Sequence, residues 1–232
     1  MTELATRRFA SRAALESALE ERLARAIAAP PAAALMLSGG TTPLPVYRAL
    51  AARPGLAHAA GLRVLFSDDR HVLPDSPASN YTQAQPLLTA LALPAAAVLR
   101  VRTELPLEDA ARDYQDQLAA LLRSGTRVGL GLLGLGADGH TASLFGAADL
   151  ERARGRLALA VHRPDGMSAV SVTPELLAQV AEPVFVVAGA DKRDAVERLL
   201  AHDPALTAWR AVAGCGRVEL WVDAAAAPPV AR

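Results

Sequence analysis

Short apolar runs that alternate with longer amphipathic segments constrain this chain more than any other feature. Leu15, Leu19, Leu23 and Ile27 recur at steps of four within residues 11–28, which places them on one face of a helix. AALML (33–37) follows as a buried strand, then a glycine-rich turn, then a helix opened by Pro43 and Pro45 and running to about Ala52. LRVLF (62–66) is a second strand, and residues 79–91 and 106–122 read as helices. VGLGLLGLG (128–136) is a strand that runs into a second glycine turn. RLALAV (156–161), AVSVT (169–173), PVFVVAG (183–189) and VELWVD (218–223) are further strands, with helices opening at Pro174 and over 191–200. The closing AAAAPPVAR reads as a poorly ordered tail. Apolar strands alternating with helices predict an α/β fold: a doubly wound, mostly parallel sheet with helices on both faces. With 232 residues, no internal repeat and no long linker, one domain over 1–232 is expected. Ligands of such folds bind beyond the carboxyl ends of the strands.

Charge narrows the partner. Lysine plus arginine total 24 and aspartate plus glutamate total 24. A nucleic-acid binder usually carries a basic excess that displaces counterions, so no nucleic-acid partner is expected. The uncharged stretch Ala26–Ser38 is broken by Pro30-Pro31 and is shorter than the ~18 residues of a membrane span, so no membrane partner is expected either. Cys215 is the single cysteine and can form no internal disulfide. Its setting reads as a buried small residue and not as a nucleophile. The first residues, MTELATRRF, lack the apolar core of a secretory signal. A cytoplasmic protein is the expectation.

Four motifs fall at predicted strand ends. Ser38-Gly39-Gly40-Thr41-Thr42-Pro43 follows a strand and opens a helix. Its glycines let backbone approach an anion, the helix start offers free N–H groups, and the hydroxyls of Ser38, Thr41 and Thr42 add donors. That composition makes a phosphate cradle, though a plain strand-to-helix turn has the same pattern. It is neither a Walker loop nor a dinucleotide fingerprint, so no nucleotide cofactor is implied. Ser67-Asp68-Asp69-Arg70-His71 sets two carboxylates beside an arginine, suited to orienting a base or holding sugar hydroxyls, though taken alone the pattern more often marks a solvated charged loop. No zinc-type spacing surrounds it, so no metal is expected. In Gly134-Leu135-Gly136-Ala137-Asp138-Gly139-His140-Thr141, a histidine sits at a strand–turn–helix mouth two residues after an acid. Imidazole titrates near neutrality and serves as a general base there. Asp138 orients the ring or holds a substrate hydroxyl. Lys192, in Gly189-Ala190-Asp191-Lys192, falls in a first helical turn, where a cation opposes the dipole unless an anion binds.

Together these segments resemble the 6-phosphogluconolactonase family. The match consists of SGGTTP at 38–43, DDR at 68–70, Ser79-Asn80-Tyr81, GLGADGHTASLF at 134–145, GADK at 189–192 and WVD at 221–223, and it spans about residues 9–226. The resemblance implies a fold like that of glucosamine-6-phosphate deaminase, its wider relative, from which this chain differs after the histidine, at TASLF. It implies metal-free and cofactor-free hydrolysis of a phosphorylated sugar lactone in the oxidative pentose phosphate pathway. His140 would activate water, Asp138 would position it or the sugar, and Asp68 would complete the catalytic set. Ser38, Gly39, Gly40, Thr41, Thr42, Arg70 and Lys192 would hold phosphate and lactone oxygens.

Three positions depart from the family pattern. Asp69 stands in place of glutamate, and Gly146 in place of proline. Ala169 stands in place of an arginine, so either one phosphate contact is absent or Arg163 supplies it from upstream. Two rival readings remain open from the sequence. One is a deaminase or isomerase with Asp68 moving a proton at C2. The other is a non-catalytic sugar-phosphate sensor, which usually accompanies a DNA-binding segment for which this chain has no residues to spare.

Overall fold

The computed structural model describes residues 2–30 and 33–229. Six strands form one parallel sheet: β1 (Glu3–Phe9), β2 (Ala34–Leu37), β3 (Arg63–Phe66), β5 (Val128–Leu133), β8 (Val180–Val187) and β9 (Arg217–Asp223), in the order β1-β9-β8-β5-β2-β3. The chain steps one way from β2 to β3 and the other way from β5 through β8 to β9. The sheet therefore reverses between β2 and β5, and a crevice opens there beyond their carboxyl ends.

Alternation along each strand divides the core into two layers. Leu35, Leu37, Leu130, Leu132, Val184 and Val186 face a layer completed by α1 (Arg12–Ala28), α2 (Pro43–Ala52) and α3 (Asn80–Ala90). Met36, Leu133, Phe185, Val187 and Leu220 face the other. That layer is closed by α4 (Leu107–Arg123), α5 (Ala147–Ala153), α6 (Pro174–Leu177), α7 (Arg193–Leu200) and α8 (Thr207–Val212). The expected face of α1 is buried as read, with Leu15, Leu19, Leu23 and Ile27 fully enclosed. The doubly wound, mostly parallel architecture is thus observed.

Two strands expected in that sheet lie elsewhere. β6 (Ala158–His162) and β7 (Ser168–Val172) form an antiparallel hairpin, and β4 (Asp68–Arg70) adds to it in the order β4-β7-β6. The acidic segment is therefore a strand and not a solvated loop: Asp68 pairs with Ser171 and Arg70 with Ala169. The predicted helix over 191–200 divides into a 3-10 turn at Ala190–Lys192 followed by α7. The tail expectation fails for its first residues. Asp223 Oδ1 accepts from the Ala226 amide at 2.8 Å, and Ala226 and Ala227 are buried. The last residues of that expectation, 230–232, lie outside the described ones. No described helix is long and apolar enough to cross a membrane.

Candidate active site

Loop 38–42 leaves β2 at the crevice and delivers the chain to α2, whose first turn carries Pro43. The buried Tyr47 of α2 pins the start of the loop: its hydroxyl donates to the Ser38 carbonyl at 2.8 Å and accepts from the Ser38 amide at 3.2 Å. Burial pushes the Tyr47 phenol upward against the lowering effect of those contacts, so it stays neutral. Thr42, at the N-cap of α2, makes no side-chain capping bond. The helix start therefore keeps donors for a ligand. Gly39 is required by close approach, since a Cβ there would lie 1.9 Å from Oδ1 of Asn80.

Across the crevice, the turn after β5 carries His140. Its Nδ1 lies 2.5 Å from Oδ1 of Asp138, and its ring packs 4.4 Å from that of Phe145. His140 lines the cleft with loop 38–42, Asp68, Arg70, Arg163 and Lys192. Asp138 stands behind the ring, more than half exposed, and orients it from outside. Burial raises the Asp138 carboxyl, but the hydrogen bond and charge of His140 outweigh that and hold it below its ordinary range. Gly136 makes the pair possible: a Cβ there would fall 2.1 Å from Nδ1 of His140 and 2.3 Å from Oδ1 of Asp138. α8 backs the turn, with the Ala208 amide donating to the Gly139 carbonyl at 2.9 Å.

β4 separates the two neighbouring carboxylates by its pleat. Asp68 lines the cleft and accepts from three side-chain donors. Ser67 Oγ and Asn80 Nδ2 donate to Oδ1 at 3.0 and 3.2 Å, and Ser143 Oγ donates to Oδ2 at 2.7 Å. Asp69 points away and caps α3. Its oxygens accept from the Asn80 amide at 2.6 Å, the Tyr81 amide at 3.1 Å and Ser79 Oγ at 2.9 Å. Burial pushes the Asp69 carboxyl up to about 6 despite those donors, with the charge of Asp68 adding to the rise. Arg70 donates to the Ala78 carbonyl at 2.8 Å and to Asn80 Oδ1 at 2.9 Å, while its buried Nε has no partner among the described residues.

Lys192 reaches the same cleft as the N-cap residue of α7, with Nζ 3.4 Å from Asp191. The loop before it is tied to β9 by the Gly189 amide, which donates to Asp223 Oδ1 at 3.1 Å. All the expected site residues except Asp138 therefore line one cleft, and Asp138 touches it through His140. Sequence reasoning missed Asn80, which lines the cleft, and Ser143, which is buried behind it against Asp68 and Arg163. Asn80 belongs to a recognised motif yet shows no charge to attract notice, and Ser143 sits in an apolar-looking segment. Ala142, before it, adopts a left-handed φ of 49°, a strained conformation for a residue with a Cβ. Among the described residues, no three His, Cys, Asp or Glu side chains group as a metal site.

Fold and cleft together define an open parallel α/β protein with a histidine–carboxylate pair, an anion-type loop and three cationic side chains at its switch point. A family model described as glucosamine-6-phosphate isomerases/6-phosphogluconolactonase matches residues 7–220. A 6-phosphogluconolactonase of Nostoc is 34% identical over 174 residues, 72% of this chain and 71% of the relative. One from Synechocystis is 35% identical over 189 residues, 78% of this chain and 77% of the relative. The crystal structure of 6-phosphogluconolactonase from Thermotoga maritima superposes with a TM-score of 0.76 at 27% identity, covering 96% of this chain and 100% of that one. The chain belongs to the glucosamine-6-phosphate isomerase/6-phosphogluconolactonase family.

Proposed function

We propose that this chain hydrolyses 6-phospho-D-glucono-1,5-lactone to 6-phospho-D-gluconate, acting in the cytoplasm, in the oxidative pentose phosphate pathway, as a single domain over 1–232. The observation that carries the reading is the 2.5 Å contact of His140 Nδ1 with Asp138 at the edge of a cleft lined by cations. With a proton on Nδ1 directed at the carboxylate, the lone pair stays on Nε2. Nε2 takes a proton from water as the oxygen attacks the lactone carbonyl. The tetrahedral intermediate then collapses, its ring C–O bond breaks, and the imidazolium returns the proton to the departing ring oxygen. Water is consumed, and a hydroxyl and a carboxylic acid result, the acid releasing its proton to solvent to give the carboxylate. Asp138 balances the transient charge on the ring. Loop 38–42, Arg70 and Lys192 hold the phosphate and lactone oxygens, and Asp68 fixes Asn80 and Ser143 in the wall. A lactone is already an activated ester, so positioning plus a base giving ~10²–10⁴-fold suffices without a covalent step or a metal.

The isomerase reading needs Asp68 as a mobile base. Three donors already occupy that carboxylate, which favours a fixed role. The deciding experiment follows 6-phosphogluconolactone hydrolysis above spontaneous opening, before and after chelation and desalting, beside ammonia release from glucosamine 6-phosphate. Lactone turnover that survives chelation is expected, with no ammonia. Ammonia release without lactone turnover would overturn the reading, and turnover that needs an added divalent ion would overturn its metal-free form.

A further inference from the structure

We infer that Arg163 is a phosphate-binding residue of this cleft, delivered to it by the β6–β7 hairpin; the ligand assigned to it rests on the lactonase reading. Register gives the first part of the argument. Arg70 pairs with Ala169, and Ala169 pairs with Val161, so these three share one face of the small sheet. Arg163 lies two residues beyond Val161, and its amide donates to the Met167 carbonyl at 2.8 Å, which extends the pairing. It therefore stands on the same face, opposite Met167 and diagonal to Ala169, two strands across from Arg70. Ala169 is fully buried, and the Arg163 side chain is only 11% exposed although it lines the cleft.

The guanidinium is held in advance of any ligand. Nε and Nη2 donate to Asp165 at 3.1 and 2.9 Å, Nη1 donates to Ser143 Oγ at 3.0 Å, and the group lies 5.1 Å from the centre of the Phe145 ring. Ser143 in turn donates to Asp68. Three of the five guanidinium N–H groups are used in these bonds. One on each terminal nitrogen has no protein acceptor among the described residues. Two such donors on a planar, positioned fork suit a phosphate, which takes charge-assisted bonds in pairs. Ser143 acts through Arg163 and is a positioning residue.

The test measures binding of 6-phosphogluconate by calorimetry, which requires no turnover. Arg163→Met keeps the length and removes the charge, and should weaken binding about ten- to a hundredfold. Arg163→Lys should fall between that variant and wild type. In Arg163→Met/Ala169→Arg, a guanidinium returned from the neighbouring position on the same face should regain most of the loss. Binding by Arg163→Met within threefold of wild type overturns the assignment. So does a folded double variant no tighter than the single one. If the double variant does not fold, equal binding by the Lys and Met variants overturns it, and tighter binding by Lys upholds it. Wild type that fails to bind 6-phosphogluconate overturns the lactonase reading and, with it, the ligand named for Arg163. Wild type that binds it while Arg163→Met binds equally overturns the role of Arg163 alone.

Discussion

Nδ1 of His140 and Oδ1 of Asp138 lie 2.5 Å apart across a turn of two residues, with the carboxylate on the outer side of the ring. A proton on Nδ1 facing that carboxylate leaves the lone pair on Nε2, the nitrogen proposed above as the base. His140→Ala should lower kcat by about 10²–10⁴-fold with unchanged thermal unfolding. Asp138→Asn should cost less, because the amide can still accept at Oδ1, but it removes the charge that balances the imidazolium. Its kcat–pH profile should shift to a different midpoint. A folded His140→Ala with near wild-type kcat would show that another group is the base.

Gly136 offers a sharper test of that geometry. A Cβ at this position would fall 2.1 Å from the His140 ring nitrogen, far inside contact distance. Gly136→Ala must displace the ring or the Asp138 carboxylate, and misplacement on the order of 1 Å costs about 10²-fold. Gly136, though buried, lies in the loop after β5, outside the strands and helices, so the fold should persist. Crystallography of the variant beside its kcat checks both halves. Full activity with an undisturbed pair would contradict the packing described.

The parallel sheet was legible because β2, β5 and the second half of β8, from Pro183 to Val187, are apolar throughout, as a sheet buried on both faces requires, and the interior of β9 is broken only by Glu219. β1 escaped notice for the opposite reason: at the edge of the sheet its residues Ala5 to Arg8 alternate without a consistent apolar face. The antiparallel hairpin of β6 and β7 carries the same apolar signature as the main strands, and composition does not record which strand pairs with which. Of the site, the glycine turns and His140 were legible because each glycine-bearing segment directly follows an apolar run that reads as a strand. Asp68 and Asp69 are indistinguishable as letters, and only the pleat of β4 turns one to the cleft and the other to the start of α3. Ser143 was invisible because its partners, Asp68 and Arg163, are 75 and 20 residues away.

Lys192 begins α7 at the rim of the cleft, where its charge opposes the helix dipole until an anion arrives. A charged hydrogen bond to phosphate is worth roughly 1.5–3 kcal/mol, so Lys192→Ala should lower kcat/KM on the phosphorylated lactone about ten- to a hundredfold. The unphosphorylated lactone, poor for wild type, should be nearly unaffected by the substitution. The comparison of kcat/KM on both lactones for both proteins decides it. A phosphate preference that survives intact in Lys192→Ala would remove Lys192 from the phosphate site.

Asp69 makes a prediction about stability and pH, and its sign follows from burial. The carboxyl is pushed up to about 6, above the roughly 3.9 of an unfolded aspartate. A raised acid favours the protonated folded state, so its contribution is fully present below about pH 4 and is lost as pH rises through about 6. The shift is worth on the order of 3 kcal/mol. Asp69→Asn cannot ionise, so the stability difference, wild type minus variant, should be largest at pH 4 and shrink toward pH 7. Urea unfolding of both proteins across that range isolates this group from carboxyls shifted the other way, such as Asp138. The opposing possibility is physically specific: two backbone amides and the Ser79 hydroxyl converge on Asp69 at the start of α3. If those donors outweigh burial, the carboxylate stays ionised and the difference grows as pH rises. Asn80 is held by the same contacts and in turn holds Asp68 and Arg70, so kcat/KM of Asp69→Asn should fall even at pH values where its stability matches wild type.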